Sequence, residues 1–296
     1  SGGGAKGARA PPPEFCGQMP PPQNFEKEGA PNETIFKIGS FGLHYYSLMF
    51  VIAFAVGFYM MKKFYQHEKV SEEYLEPLFI FTIVGTLLGA RLGEVFFYNW
   101  DYYQNNLAEI LLPIKITPDG VEFTGYRGLA SHGAAIGIIT SLYLYQRKYS
   151  YRPLLWVLDR LCITVAFAGI FIRIGNFFNS EIVGLYSNSD FGVVFLNRGE
   201  VLPRHPVQLY ESFGYLVVFL ILRNLYWNTN RKDQTGFLFG AFFVLLFGVR
   251  FIAEFVKESQ GGFETSLGLL STGQWLSIPL ILVGFYLLRR AQLKST

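Results

Sequence analysis

Apolar residues run along this chain in seven long segments separated by polar connections. The segments lie at roughly residues 42–62, 75–97, 129–147, 153–176, 207–227, 236–256 and 271–289. Each is close to the ~20 residues that a helix needs to cross the hydrocarbon core of a bilayer. Buried helices of a soluble protein would carry polar faces that these segments lack. The pattern therefore predicts an all-α polytopic membrane protein with about seven transmembrane helices.

The distribution of Lys and Arg over the connections predicts how these helices are oriented. Cytoplasmic loops of membrane proteins carry an excess of these cations. Four clusters fall on one side of a seven-helix arrangement: Lys62, Lys63 and Lys69; Arg147, Lys148 and Arg152; Arg231 and Lys232; and Arg289, Arg290 and Lys294. We therefore expect the N-terminus outside and the C-terminus in the cytoplasm.

Three stretches outside the apolar segments have a character of their own. Residues 98–128 contain aromatic residues and an amphipathic stretch, and they are expected to form an arm in the headgroup layer. Residues 177–206 mix Asn, Ser, Gly and apolar residues, which is typical of a small extracytoplasmic cap. Residues 1–34 are rich in Pro and Gly and predict a flexible tail. The remainder, residues 35–296, is expected to be a single seven-helix membrane domain.

Composition agrees with a membrane location and bears on which ligands and partners we expect. Hydrophobic residues make up 51% of the chain and aromatic residues 18%, which is high for a soluble protein. The net charge of +3 decides little by itself. We expect no nucleic-acid partner. Neither Cys16 nor Cys162 belongs to a metal motif, and the histidines lack the spacing of a zinc site. We therefore expect neither a metal nor a cofactor.

The most informative polar residues close the fourth apolar segment, where Arg173 is followed by Asn176, Asn179 and Glu181. A helix that starts at Pro153 places Arg173 about 30 Å along its axis, near the outer edge of the hydrocarbon. Asn176 shares its face, and Glu181 lies beyond the helix end, from where it can fold back. An arginine at this depth can also reach the headgroups simply by snorkelling. The two amides and the carboxylate beside it favour ligand binding instead.

Two further pairs of charged residues lie inside apolar segments. Arg250 and Glu254 are four residues apart, and Arg91 and Glu94 are three residues apart, so each pair can share a helix face. Such a pair either locks helices together or belongs to a functional site. The spacing leaves both interpretations open for Arg250 and Glu254. For Arg91 and Glu94 it favours structural support.

Histidine and tyrosine residues add candidate acid–base and hydrogen-bonding groups at the outer ends of the segments. His132 opens the third segment among small residues that leave room for a substrate, which makes it the better acid–base candidate. His205 precedes the fifth segment, followed by Gln208 and Glu211. A lone histidine at a helix end is more often a cap or an interface residue. Tyr46 opens the first segment on the same face and could donate a hydrogen bond to an anion.

Together these residues predict a site for an anion in the outer half of the helices. Arginine forks match phosphate oxygens bidentately, so a lipid phosphate is the natural ligand. An anion transporter or a lipid flippase would also carry charges within the membrane, but distributed from face to face and often in repeated halves. Here the polar motifs cluster towards one face, and no inverted repeat is visible.

The same residues resemble those of the bacterial prolipoprotein diacylglyceryl transferase family. The family signature Gly-Arg-x-(Gly/Ala)-Asn-Phe-x-Asn-x-Glu-x-x-Gly is similar to residues 172–184. Further similar motifs are Leu43-His44-Tyr45-Tyr46, Arg91-Leu92-Gly93, Ser131-His132-Gly133, Pro203-Arg204-His205-Pro206-x-Gln208-Leu209-Tyr210-Glu211, Arg250-x-x-x-Glu254 and Gly273-Gln274-x-x-Ser277-Ile278-Pro279. The likeness runs from about residue 35 to residue 290.

The resemblance implies an enzyme of the bacterial cytoplasmic (inner) membrane with its active site towards the outer leaflet. It would transfer the diacylglyceryl group of phosphatidylglycerol to the cysteine thiol of a preprolipoprotein signal peptide and release glycerol phosphate. His132 would be the base, and Arg173 and Arg250 would hold the phosphate. The resemblance further implies headgroup or supporting roles for Tyr46, Asn176, Asn179, Glu181, Glu254, His205, Gln208 and Glu211.

Overall fold

A computed structural model describes residues 34–38, 41–97, 99–112, 114–117, 120–123, 131–187, 191–258 and 270–293. The predicted tail at residues 1–34 lies outside this range except for Thr34. The strands and helices in chain order are β1 (Thr34–Ile38), β2 (Phe41–His44), α1 (Tyr45–His67), α2 (Leu75–Phe97), α3 (Trp100–Tyr103), α4 (Ala108–Leu111), β3 (Ile114–Thr117), β4 (Gly120–Phe123), α5 (Ser131–Lys148), α6 (Leu154–Phe178), α7 (Val207–Asn228), α8 (Phe237–Ala253) and α9 (Thr272–Leu293).

The long helices follow the predicted apolar segments. Among the residues that the structure describes, five stretches are long and apolar enough to cross a membrane: Leu48–His67, Glu72–Phe96, Leu154–Phe178, Phe237–Val256 and Thr272–Leu293. The prediction of a mainly helical, multi-pass membrane protein is confirmed to that extent. Helices α5 and α7 form at the predicted third and fifth segments but are not among these five stretches. The predicted end of the first segment at residue 62 is too early, because Lys62 and Lys63 favour helix and α1 continues to His67.

Two short antiparallel hairpins depart from the all-α prediction. Strands β1 and β2 pair immediately before α1. Strands β3 and β4 pair within the predicted arm at 98–128, after the short helices α3 and α4. Thr117 lies opposite Gly120 in that hairpin, and Gly120 has a φ of 133°, which glycine adopts without steric cost. The described part of the predicted arm therefore contains two short helices and a hairpin.

The chain divides into two compact units, residues 60–157 and residues 1–59 together with 158–296. In the first of these, α2 and α5 pack backbone against backbone along a line of glycines. A Cβ on Gly137 would lie 2.0 Å from the carbonyl oxygen of Gly85, and a Cβ on Gly89 would lie 2.4 Å from that of Gly133. Only glycine permits such an approach, which is a common way to join helices within lipid.

In the same unit, tyrosine side chains join the α1–α2 connection to the connection that follows α5. The hydroxyl of Tyr145 donates to the carbonyl oxygen of Tyr74 at 2.7 Å and lies 3.1 Å from the hydroxyl of Tyr151. Tyr65 contacts the Tyr151 hydroxyl as well, and the rings of Tyr74 and Tyr151 stack with centroids 4.1 Å apart. Burial raises the pKa of Tyr151, so its phenol stays protonated and can donate.

Arg91 fastens the arm to the end of α2. Its Nε donates to the carbonyl oxygen of Ile110 at 2.9 Å, and its Nη2 donates to that of Glu109 at 2.6 Å. Glu94 instead accepts a hydrogen bond from Asn99 Nδ2 at 2.7 Å. The two side chains therefore use different partners rather than pairing with each other, and both hold the segment that follows α2.

In the other unit, a carboxylate from α6 caps the start of α8. Asp159 is fully buried and accepts hydrogen bonds from the backbone N–H groups of Gly236 at 2.6 Å and Phe239 at 2.9 Å. Gly236 has no side chain to cap its own helix, so the cap comes from a neighbouring helix. Farther along, Gly240 of α8 and Gly284 of α9 let those helices approach closely.

The predicted cap, residues 177–206, is held by a network of charges. Arg204 Nε lies 2.5 Å from Glu200 Oε2, and its Nη1 donates to the carbonyl oxygen of Gly184 at 3.0 Å. Glu258 lies 3.3 Å from both Arg204 and Arg198. Burial acts to lower the pKa of Arg204, but the carboxylates of Glu200 and Glu258 outweigh it and raise that pKa overall. The cap segment is thus tied to the residues that follow α8.

Candidate functional site

The last turn of α6 carries a continuous chain of polar side chains. Arg173 Nη1 donates to Asn176 Oδ1 at 3.2 Å, and Asn176 Nδ2 donates to Glu181 Oε2 at 2.9 Å. The backbone N–H of Glu181 returns to the carbonyl oxygen of Asn176 at 2.9 Å. Asn179 Nδ2 reaches Glu181 Oε1 at 3.4 Å. The predicted shared face of Arg173 and Asn176 and the folding back of Glu181 are both confirmed.

This return of the chain is made through an uncommon backbone conformation. Ser180 and Ile182, on either side of Glu181, have φ values of 54° and 56°. A β-branched residue such as isoleucine rarely adopts this left-handed region, and each such residue costs about 1–3 kcal/mol. The surrounding bonds maintain that strain, and the result is a carboxylate placed against Asn176.

Helix α7 supplies the partner of Arg173. Glu211 Oε2 lies 3.0 Å from Arg173 Nε, and the residues are 1% and 8% exposed, so this is a buried ion pair. Gln208, one turn earlier, donates from Nε2 to the carbonyl oxygen of Glu181 at 2.5 Å. Of these two residues, predicted from the resemblance alone, Glu211 therefore contacts the arginine directly, and Gln208 contacts the backbone of Glu181.

Tyr215 also belongs to this site, although the sequence analysis did not select it. Its phenol is buried and lies close enough to Arg173, Glu211 and Arg250 to interact electrostatically with all three. The ring packs on α6, where a Cβ on Gly169 would meet it at 2.9 Å. Tyr215 lies four residues after Glu211, so the helical repeat of polar residues on α7 could have identified it.

Arg250 differs from Arg173 because no carboxylate in the described part of the chain pairs with it. Its guanidinium carbon lies 6.0 Å from the Phe247 ring centroid. Glu254, its expected partner, instead contacts Lys257 Nζ at 2.7 Å and accepts from Ser271 Oγ at 2.8 Å. The two residues keep their i,i+4 relation, because the backbone N–H of Glu254 donates to the carbonyl oxygen of Arg250. The side-chain pair that this spacing allowed does not form, because Lys257 and Ser271 hold the Glu254 carboxylate.

Glu254 thereby secures the start of α9. Ser271 and Gln274 form a capping box, in which Gln274 N donates to Ser271 Oγ at 3.2 Å and Ser271 N donates to Gln274 Oε1 at 3.0 Å. The Glu254 carboxylate bonds the same serine hydroxyl and fills the space beside Gly273. A Cβ on Gly273 would lie 2.3 Å from Glu254 Oε1.

The remaining predicted residues are placed only in part. The backbone of His205 accepts from the N–H of Gly184 at 3.0 Å, and its Nδ1 lies 3.3 Å from the hydroxyl of Tyr210. His132 and Tyr46 lie in the first turns of α5 and α1. Their side chains fall outside the described part of the structure, so their predicted roles remain predictions.

The central groups can bind a single negative charge. Arg173 and Arg250 contribute two cations and Glu211 one anion, which leaves one net positive charge among them. The carboxylate of Glu181 is at the exposed end of the cluster. Arg250, which is half-buried and has no carboxylate partner among the described residues, can present its guanidinium fork to phosphate oxygens. The arrangement therefore suits a monoanionic phosphodiester.

Comparison with known proteins identifies relatives that share most of this chain. The family described as prolipoprotein diacylglyceryl transferase matches residues 33–290. A phosphatidylglycerol–prolipoprotein diacylglyceryl transferase of Bacteroides fragilis is 40% identical over 257 residues, covering 86% of this chain and 92% of the relative. Proteins of the same name from Chloroherpeton thalassium and Tolumonas auensis are 40% and 41% identical, covering 88% and 86% of this chain and 94% and 93% of theirs.

Proposed function

The chain belongs to the prolipoprotein diacylglyceryl transferase family, and we propose that it lipidates preprolipoproteins. It transfers the sn-1,2-diacylglyceryl group of phosphatidylglycerol to the lipobox cysteine and releases glycerol phosphate. We place the reaction at this site because Arg173, Glu211 and Arg250 together carry a net positive charge at the ends of long apolar helices. A phosphodiester has the complementary single negative charge.

The proposal includes seven membrane spans, with the N-terminus outside the bacterial cytoplasmic membrane. Helix α7 supports its inclusion as a span, because its polar residues Gln208, Glu211 and Ser212 are buried. Its apolar residues Phe213 and Leu220 are 69% and 50% exposed, as expected for contact with lipid. The positive connections then lie in the cytoplasm, and Arg173 and Arg250 lie towards the outer leaflet.

The proposed reaction is a displacement at the glycerol carbon that carries the phosphate. The sulfur of the substrate cysteine attacks this carbon, a C–S bond forms, and the C–O bond to the phosphate breaks. A thiol has a pKa near ~8.5 and is mostly protonated at neutral pH, so a base assists. His132 takes that proton. Arg173 and Arg250 hold the phosphate and stabilise the charge that develops on it as glycerol phosphate leaves.

The other proposed substrate contacts surround the two arginines. Asn176 and Glu181 fix the guanidinium of Arg173 and, together with Asn179 and Tyr46, orient the headgroup. Glu254 acts at a distance by positioning the start of α9 beside the end of α8. His205 supports the cap segment through backbone hydrogen bonds to Gly184 and Leu185.

The deciding experiment is incubation of the purified protein with phosphatidylglycerol and a lipobox peptide, followed by measurement of the peptide mass. A diacylglyceryl adduct is expected. Arg173→Ala and Arg250→Ala should abolish it while still inserting into the membrane, whereas Arg223→Ala, which removes an exposed cation from α7, should not. His132→Gln should slow turnover at neutral pH. Scrambling of lipid between leaflets without an adduct would instead indicate a flippase.

A further inference from the structure

Three buried acceptor atoms in the site have no hydrogen-bond donor among the residues that the structure describes: Gln208 Oε1 and both carboxylate oxygens of Glu211, in side chains that are 0% and 1% exposed. The ion pair with Arg173 compensates Glu211 Oε2, which leaves Gln208 Oε1 and Glu211 Oε1. Buried polar atoms are nearly always satisfied, because an unmade bond costs the full desolvation of the group. Two such atoms in one cluster call for a donor that arrives from elsewhere.

The orientation of both side chains is fixed by their other contacts. Gln208 Nε2 lies 2.5 Å from the backbone carbonyl oxygen of Glu181. That oxygen can only accept a hydrogen bond, so the Gln208 amide must turn its NH₂ group towards it, and Gln208 Oε1 is then the atom without a partner. Glu211 Oε2 faces Arg173 Nε at 3.0 Å, which leaves Oε1. The residues are one helical turn apart, with Cβ atoms about 5–6 Å from each other.

We propose that these two oxygens bind the hydroxyl groups of the glycerol headgroup and so select a polyol phospholipid. The inference rests on the proposed function, which places the phosphate on Arg173. The glycerol beyond that phosphate carries two neighbouring hydroxyls, and each can donate one hydrogen bond. A site with orphaned acceptors rejects a ligand that lacks the matching donors, because the acceptors then stay unpaired.

The test compares two lipids with the same charge and acyl chains, phosphatidylglycerol and phosphatidylpropanol, which has no headgroup hydroxyl. The wild-type protein should use phosphatidylglycerol with a kcat/KM higher by about tenfold or more. Gln208→Met should bring this ratio closer to one, mainly through slower reaction of phosphatidylglycerol. Gln208→Glu, which loses the bond to Glu181 but keeps an acceptor, should retain more of the preference than Gln208→Met.

Ser212→Ala is the matched control, because Ser212 is buried on the same face but its hydroxyl already donates to the carbonyl oxygen of Ile170 at 3.2 Å. It should leave the ratio unchanged. Equal use of both lipids by the wild-type protein, or a wild-type ratio in Gln208→Met, would overturn the inference. In either case adduct formation from phosphatidylglycerol would leave the proposed function standing. Absence of any adduct would refute the proposed function, and this inference with it.

Discussion

Replacing Gly273 with alanine should detach the start of α9 from the end of α8. The new Cβ would lie 2.3 Å from Cδ and Oε1 of Glu254 and 2.7 Å from its Oε2. A carbon and an oxygen normally approach no closer than about 3.3 Å, so the carboxylate must move by about 1 Å. A free side chain could do this at little cost, but this carboxylate is held by Lys257 and Ser271.

The cost follows from the bonds that the displaced carboxylate loses. The hydrogen bond from Ser271 Oγ cannot be kept, and bonds to charged groups contribute about 1.5–3 kcal/mol. Lys257 is only three residues from Glu254 and can follow it in part, so that ion pair weakens rather than disappears. We expect Gly273→Ala to lower the free energy of unfolding by about 2–4 kcal/mol, and to lower transferase activity because Arg250 lies on the same helix end.

Unfolding of the detergent-solubilised variants measures this effect directly. Gly248→Ala is the control, because it lies on α8 and a Cβ there meets nothing within 4 Å; it should be neutral or stabilising by up to about 1 kcal/mol. In a Glu254→Ala background the obstructing carboxylate is gone, so Gly273→Ala should then cost little. Full additivity of the two substitutions would show that Glu254 is not what requires a glycine at this position.

Three further substitutions test contacts elsewhere in the fold. Gly137→Ala should destabilise by about 1–3 kcal/mol, because its Cβ would lie 2.0 Å from a backbone oxygen of the facing helix; Gly57→Ala, with its nearest atom at 3.8 Å, should not, and equal melting temperatures would contradict this. Arg204→Met should cost about 1.5–3 kcal/mol in denaturant unfolding, since it removes one of the two cations paired with the buried Glu200 and leaves only Arg198, at 3.1 Å; an unchanged midpoint would disprove the role of the pair. Asp159→Asn should cost about 1–2 kcal/mol and speed hydrogen exchange in the first turn of α8, whereas wild-type exchange there would show that the cap is dispensable.

Helices were predictable from this sequence because the bilayer sets their length. An apolar run near the thickness of the hydrocarbon has few alternatives to a helix, and all the long helices form where such runs lie. The hairpins were not predictable in the same way, since four-residue strands such as β3 and β4 depend on their pairing partner. Helix ends such as that of α1 also depend on local propensity rather than on membrane thickness.

Within the site, only contacts that are local in sequence could be predicted. Arg173, Asn176 and Glu181 lie within nine consecutive residues, so helix geometry alone brings them together. The pairing of Arg173 with Glu211 requires the packing of α7 on α6, which no sequence spacing reveals. The spacing left open whether Glu254 pairs with Arg250, and it could not show that Ser271, seventeen residues farther along, would bond the Glu254 carboxylate instead.

The unequal pairing of the two arginines fits the charge changes of the proposed reaction. Two unpaired cations within the membrane would be costly, while two fully paired cations would leave no charge to attract a phosphodiester. Arg173 is held by Glu211 and Asn176, so it can position the phosphate at little cost in reorganisation. The phosphodiester gains negative charge as its C–O bond breaks, and Arg250 is the cation whose field is not already cancelled by a carboxylate in the described residues. Its interaction therefore strengthens most in the transition state, which is the condition for accelerating a reaction rather than only binding its substrate.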